Sequence, residues 1–319
     1  MQLVRRNERF IVTRKTNITI FLVACCLCVF RATTALSNSP ASKRSKPVSI
    51  PSLGASQFRH PLDKQLTSMV QRLPLYDLAE LGLRNTFPLV EQTVRLDLLS
   101  SCVKVSKEQL SHVYDLLLEA CDILNLPKAS IPELYVQSSP QANAYTLALQ
   151  PKGNNSPSVI VITSALVDRC TLPELQAIIG HELGHLKCEH SLYLTLGGLA
   201  STPLRQLPFV GSQVDTALQD WRLAAEYTCD RASLLVAQDV QVVASALLKL
   251  FAGTSRYELD PKAFVQQAME YEKQLETANP LVKLSIEQQR RTHPLPVKRV
   301  AELEKWAKST EYRNLVEVR

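Results

Sequence analysis

The feature that most constrains this chain is the pentapeptide His-Glu-Leu-Gly-His at residues 181–185, which lies within a predicted helix. The helix is predicted to begin at Thr171, because Thr171 and Glu174 have the spacing of a capping box. On a helix, His181 and His185 lie one turn apart on the same face, the arrangement that two imidazoles need to bind a single zinc ion. Any fold of this chain must therefore bring further metal ligands to that face.

The rest of the predicted site consists of carboxylates. Glu182 is placed to reach a water molecule beside the metal and not the metal itself, so it is predicted to be the general base. A catalytic zinc site has three protein ligands, and the four other histidines do not supply the short-spaced third histidine of metzincins. The best candidate for the third ligand is Glu226, in the predicted helix 214–237. Asp230, one turn later, could accept the free N–H of a ligand histidine. The sequence predicts one zinc ion per chain.

Both parts of this site have an alternative interpretation. The two histidines could pack, or be solvated, on a helix face, although that would leave their polar cluster next to an apolar run unexplained. Glu226 and Asp230 could form a solvated acidic pair beside Arg222 and Arg231. We adopt the zinc interpretation.

The positive charge of the chain is confined to its N-terminal part. A net charge of +6 would suit a protein that binds nucleic acid or an anionic membrane. However, residues 1–62 contain ten Lys and Arg and one acidic residue, which leaves 26 basic and 29 acidic residues from residue 63 onward. The body of the protein is therefore slightly acidic, and no nucleic-acid partner is predicted.

Residues 1–62 have the composition of a targeting leader. The uncharged run 18–30 is short for a membrane span but suits the core of a signal peptide. Residues 37–59 are rich in Ser, Pro and basic residues and contain no acid, as in a transit peptide. We expect a bipartite leader that is removed, a metallopeptidase domain over residues 63–319, and a location in a plastid. The alternatives are a secretory signal or an uncleaved membrane anchor.

The cysteines favour a reducing compartment. Three of the eight lie in the apolar run of the leader, and the other five are scattered without a Cys-x-x-Cys motif. An odd number at irregular spacing is not typical of a disulfide framework, which argues against the plain secretory alternative. These five are Cys102, Cys121, Cys170, Cys188 and Cys229.

The hydrophobic pattern predicts an α+β fold. Apolar residues recur at helical spacing in residues 66–73, 75–83 and 105–124, and again from residue 171 nearly to the end. Three short β-rich runs, separated by turn residues, lie between these helical parts and are predicted to form two or three antiparallel strands. The expected architecture is a mainly helical body with a small antiparallel sheet bordering the zinc helix. The predicted strands are residues 132–137, 143–149 and 158–163.

Four stretches, in order and spacing, resemble the HtpX-like zinc metallopeptidases, which include the CAAX prenyl endopeptidases and mitochondrial quality-control relatives. Segments after His185 and around Asp230 look like the plastid branch of this family, some of whose members are linked to plastoglobules and thylakoids. The four stretches are Asn143-Ala144-Tyr145, Ile178 to His185, Glu226 to Asp230, and Thr292-His293-Pro294.

The resemblance implies a gluzincin-type metalloendopeptidase that cleaves protein or peptide substrates, in turnover or quality control in a plastid. It implies that Asn143 and Ala144 present backbone groups to an extended substrate, and that His293 stabilises the oxyanion. A peripheral membrane or lipid-body surface is a further candidate partner. The alternatives are a non-proteolytic zinc-binding scaffold or chaperone, or a membrane-anchored adaptor.

One departure from the family concerns the membrane. Several relatives carry transmembrane helices beside the zinc helix, but here the charge-free part of the next apolar run, residues 191–204, has only fourteen residues. We expect a buried structural helix there or, less favoured, a hairpin on a membrane surface.

Overall fold

The computed structural model describes residues 47–74, 76–86, 88–147, 157–206, 210–252, 259–288 and 295–317. In these ranges the chain forms thirteen α-helices and four strands, which confirms the predicted mainly helical α+β class. The helices are α1 (Pro61–Gln71), α2 (Tyr76–Thr86), α3 (Pro88–Ser101), α4 (Ser111–Ile123), α5 (Ser164–Arg169), α6 (Leu172–Lys187), α7 (His190–Arg205), α8 (Gly211–Ala237), α9 (Val240–Ala252), α10 (Pro261–Thr277), α11 (Pro280–Gln288), α12 (Pro296–Ala307) and α13 (Thr310–Val316). The strands are β1 (Cys102–Lys104), β2 (Glu133–Gln137), β3 (Ala144–Leu147) and β4 (Val159–Thr163).

The sheet is mixed, not purely antiparallel as expected. Its strand order is β1-β2-β4-β3, with β2 and β4 parallel and the two outer pairs antiparallel. All five residues of β4 are buried, so this apolar strand takes a central position and separates β2 from β3. That insertion makes β2 and β4 parallel neighbours. Strand β1 was not predicted, because three residues are too few to show a period.

Strand β3 lies at an edge of the sheet and faces α6, as the sequence predicted. The Oγ1 atom of Thr146 in β3 lies 2.7 Å from Oε2 of Glu182 in α6. The edge strand therefore borders the helix that carries the pentapeptide.

Helices α6 and α8 pack unusually closely, and two glycines allow this. A Cβ atom on Gly180 would lie 2.8 Å from Cγ2 of Val236, and one on Gly184 would lie 2.9 Å from Cβ of Ala232. Real Cβ atoms do not approach so closely, so larger residues at these positions would push the helices apart. The glycines thus bring both histidines of α6 against the acidic side chains of α8.

The main core lies between one face of the sheet and the central helices. It contains Ile160 and Ile162 of β4, Leu183 of α6 and Leu235 of α8, all fully buried. A smaller cluster joins α1, α7 and α8 around Trp221, which is 3% exposed. The metal-ligand candidates lie on α6, which is anchored in the main core, and on α8, which contributes to both clusters.

The segment before α1 also packs into the body. Ile50, Leu53 and Phe58 are buried in the main core, and the backbone N–H of Val48 donates to Oε1 of Gln238 at 3.0 Å. These residues fall inside the stretch 1–62 that the sequence assigns to the leader.

Helix α7 covers the apolar run that follows the pentapeptide, with Pro203 inside its last turn. Tyr193 and Leu196 of α7 are buried in the smaller cluster. Within the ranges described, none of the helices combines the length and apolar character needed to cross a bilayer.

Candidate metal centre

Helix α6 begins as predicted. Glu174 Oε2 accepts the backbone N–H of Thr171 at 2.7 Å, and both halves of the capping box are formed. This fixed start sets which residues of α6 face α8. The rings of His181 and His185 then lie side by side, with centroids 5.1 Å apart.

The two histidines converge on Glu226. Nε2 of His181 lies 3.6 Å from Oε2 of Glu226, and Nε2 of His185 lies 3.6 Å from its Oε1. Glu226 is 9% exposed, so its carboxylate faces the rings from within the protein. Two imidazole nitrogens and one carboxylate at such positions form the donor set of catalytic zinc sites, and the residues fit a divalent metal.

The electrostatics of the two rings differ. Burial alone would lower the pKa of His181, but hydrogen bonds to Asp230 and Glu226 raise it to about 9. Burial lowers the pKa of His185 to about 3. The carboxylates of Asp230 and Glu226 therefore act on His181 as negative charges that a divalent cation at this site would neutralise.

Asp230 lies beside the ring of His181. Its Oδ1 is 3.1 Å from Nδ1 of His181, so it accepts the N–H on the side of the ring away from Glu226. Arg299 in α12 donates to both oxygens of Asp230, at 2.8 and 2.5 Å. Burial alone would raise the pKa of Asp230, but the charge and hydrogen bonds of Arg299 hold it below its usual value. Sequence reasoning missed Arg299, which lies six residues beyond His293 in the chain.

Glu182 lies beside the candidate ligands and is 7% exposed. Burial raises its pKa above the ordinary value, and the hydrogen bond from Thr146 opposes only part of that rise. A carboxylate with a raised pKa is better matched to taking up and returning a proton near neutral pH. The geometry therefore suits the predicted role of general base.

Cys229 is a competing third ligand, because its Sγ lies within 4.8 Å of donor nitrogens of His181 and His185. Its thiol is fully buried, and burial raises its pKa well above the usual value, which disfavours the thiolate that binds metals. Sγ also lies 3.5 Å from Nδ1 of His190, the nitrogen that contacts His185 Nδ1. Cys229 is thus on the Nδ1 side of His185, whereas Glu226 is on the Nε2 side. We favour Glu226.

The predicted substrate-binding residues lie at the start of β3: Asn143 directly precedes the strand and Ala144 is its first residue. The backbone N–H of Asn143 donates to Oγ1 of Thr163 at 2.9 Å, and its C=O accepts the backbone N–H of Thr163 at 3.0 Å. In an antiparallel pair the next residue, Ala144, then turns its backbone groups away from β4. Of the two predicted residues, Ala144 thus turns its backbone N–H and C=O toward the outer edge of β3, whereas those of Asn143 are bonded to Thr163. His293 lies outside the described residues.

Three features together define a metallopeptidase: the helix that carries the His-Glu-Leu-Gly-His pentapeptide, a carboxylate from a second helix, and a strand at the edge of the sheet beside them. The profile of Peptidase family M48 matches residues 107–307, and the chain belongs to this family.

Relatives agree with that assignment. The chain is 39% identical over 283 residues to the Arabidopsis thaliana protein "Plastoglobule-localized metallopeptidase 48, chloroplastic", a match that covers 87% of this chain and 80% of the relative. It is 28% identical over 98 residues to "Protease HtpX homolog 2" of Methanosarcina acetivorans, covering 31% of each. The crystal structure of S. mikatae Ste24p aligns with a TM-score of 0.36 and 15% identity over 75% of this chain and 65% of that one, too weak a likeness to add to the assignment.

Proposed function

We propose that this metallopeptidase is a zinc-dependent endopeptidase, with His181, His185 and Glu226 as ligands and Glu182 as general base. The observation that carries the proposal is the convergence of both Nε2 atoms on Glu226, at 3.6 Å each, beside the buried Glu182. When bound, zinc lowers the pKa of water and polarises a carbonyl oxygen.

The residues of the chain handle the substrate and the protons. The backbone of Ala144 would pair with an extended peptide, which places the scissile bond along the edge of β3 and over α6. Glu182 would take a proton from the attacking water at one carboxylate oxygen and return it to the departing amine. Thr146, 2.7 Å from Oε2 of Glu182, would fix the orientation of that carboxylate. His293 is proposed as a donor to the oxyanion.

Metal analysis combined with hydrolysis of casein tests this function. The purified protein is expected to carry about one zinc per chain, because three protein ligands leave the fourth position open for catalysis. A chelator should abolish hydrolysis and remove the zinc, and added zinc should restore activity. Hydrolysis that persists after the metal has been removed would overturn the proposal.

A plastid location with a lipid-surface contact is proposed from separate observations. The Arabidopsis relative is named as chloroplastic and plastoglobule-localised. Leu78 and Leu81 of α2 and Leu199 and Leu204 of α7 are exposed apolar side chains on two helices that contact each other. Such side chains on neighbouring helices suit a peripheral contact with a lipid surface.

The packing of residues 48–58 refines the expected cleavage of the leader. Ile50, Leu53 and Phe58 are buried, and a cut beyond them would remove apolar side chains from the core. We therefore expect the mature chain to begin between Ser37 and Pro47. N-terminal sequencing of the protein after fractionation of its native organelle would check this. Recovery of Met1 or Gln2 would refute cleavage, and recovery in the soluble fraction alone would count against the lipid-surface contact.

A further inference from the structure

His190 lies directly behind the candidate ligand His185. Nδ1 of His190 is 3.1 Å from Nδ1 of His185, and Nε2 of His190 is 3.0 Å from Oδ2 of Asp63. His190 is 2% exposed and Asp63 is fully buried, so water does not compete for these contacts. The three side chains form a continuous path from α1 through the start of α7 to α6.

Asp63 determines which nitrogen of His190 carries the proton. The guanidinium of Arg59 donates to both oxygens of the buried Asp63, which stabilises the ionised form of that carboxylate. An ionised carboxylate only accepts hydrogen bonds, so Nε2 of His190 must donate. In the neutral ring Nδ1 is then an acceptor.

That acceptor sets the orientation of His185. Two Nδ1 atoms at 3.1 Å require one donor and one acceptor, and His190 supplies the acceptor. His185 therefore carries its proton on Nδ1, which leaves the lone pair of Nε2 directed toward Glu226. His181 reaches the same state by donating directly to Asp230 at 3.1 Å. Ligand histidines need such partners to fix their tautomer.

Asp63 is itself held from several sides. Trp221 Nε1 donates to Oδ1 at 3.0 Å, Thr228 Oγ1 lies 2.8 Å from Oδ2, and Arg59 Nη1 donates to both oxygens at 3.2 Å. Trp221 and Thr228 belong to α8, the helix that carries Glu226. A buried carboxylate with this many donors keeps a fixed position, as a positioning residue requires.

Asp63 and Arg59 lie outside the residues 107–307 that match the family. We propose that Asp63 and His190 are positioning residues for His185, so that the N-terminal segment from Arg59 to Asp63 completes the metal site. This inference rests on the proposed function, because it takes His185 as a metal ligand. It implies that removal of residues up to Asp63 would weaken metal binding even if the family-matched region remained folded.

A double-mutant cycle on zinc affinity tests the inference. In Asp63→Asn, an amide N–H can face Nε2 of His190 and reverse its tautomer, so we expect zinc binding to weaken by roughly 10- to 100-fold. In His190→Asn, the amide oxygen can replace Nδ1 as acceptor for His185, and the loss should be smaller. Because Asp63 acts through His190, adding Asp63→Asn to His190→Asn should weaken zinc binding no further. Competition with a chromogenic chelator at fixed pH measures each affinity on the full chain.

Glu174→Gln is the matched control for lost stability. Glu174 is a buried carboxylate at the start of α6 that accepts hydrogen bonds from Ser245 and Lys249, away from the metal site. A glutamine oxygen at this position can still accept the backbone N–H of Thr171, so the start of α6 should be kept. The Glu174→Gln substitution should lower the unfolding temperature of the zinc-free chain without changing its affinity for zinc. The inference would be overturned if Asp63→Asn weakened zinc binding equally with His190 intact and with His190→Asn, or weakened it in neither case. The proposed function would still stand. If the unaltered chain bound no zinc, both this inference and the proposed function would be overturned.

Discussion

Glu182→Gln is expected to lower peptide turnover by roughly 10² to 10⁴-fold while the zinc content stays near one per chain. The amide cannot accept the proton of the attacking water, and it is nearly the same size as the carboxylate. The hydroxyl of Thr146, now 2.7 Å from Oε2, can still donate to the amide oxygen, so the fold should be retained. Turnover of a fluorogenic peptide and metal analysis on the same sample measure both quantities.

The Glu174→Gln variant serves again as control, because it removes a buried charge from the same helix without touching the site. Its turnover should remain close to that of the unaltered chain. Near-normal, chelator-sensitive turnover by Glu182→Gln would show that Glu182 is not the base, even if the metal ligands are right. The same variant addresses the alternative of a zinc-binding scaffold: a non-proteolytic function would be unaffected by it.

Glu226→Gln is expected to weaken zinc retention and, with it, activity. The neutral amide lacks the charge that Glu226 places 3.6 Å from both Nε2 atoms. Loss of a ligand should exceed the roughly 10- to 100-fold that loss of a supporting residue causes, so we expect a weakening of about 100-fold or more. Zinc affinity by chelator competition is the measurement.

Cys229→Ala is the paired variant, because Cys229 is the other candidate third ligand. The variant should bind zinc nearly as well as the unaltered chain, since the protonated thiol that it removes lies on the Nδ1 side of His185, and alanine cannot compete with His185 for Nδ1 of His190. Strong loss of zinc in Cys229→Ala together with normal binding in Glu226→Gln would reverse the ligand assignment.

Local signals explain why the central part of the site could be predicted. The capping box fixes the start of α6, and helical spacing then places His181 and His185 on one face. Glu226 and Asp230 are likewise one turn apart on one helix, so their relation is encoded within five residues. Gly180 and Gly184, which allow α6 to pack closely on α8, can also be seen in the sequence. However, glycines in a helix do not show which other element will pack against them.

The supporting residues could not be predicted, because their contacts join distant parts of the chain. Arg299 reaches Asp230 across 69 positions, and Asp63 reaches His190 across 127. No short motif or period records such a pairing. The parallel pairing of β2 with β4 was missed for the same reason, since local turn signals indicate only neighbouring antiparallel strands.

Composition alone does not locate the end of the leader. Residues 37–59 lack acids and resemble a transit peptide, yet Phe58 is fully buried and Arg59 donates to Asp63. A basic, Ser-rich and Pro-rich segment can still supply a few apolar anchors to a core. Composition averages over such anchors, so the cleavage position stays a prediction that sequencing of the mature chain must settle.

The most direct test of the zinc centre is anomalous diffraction at the zinc edge from crystals of the protein. We expect a single strong peak about 2.0 to 2.2 Å from Nε2 of His181, Nε2 of His185 and a carboxylate oxygen of Glu226. A peak bonded to Sγ of Cys229, or no peak between the two histidines in protein that hydrolyses peptides, would contradict this expectation.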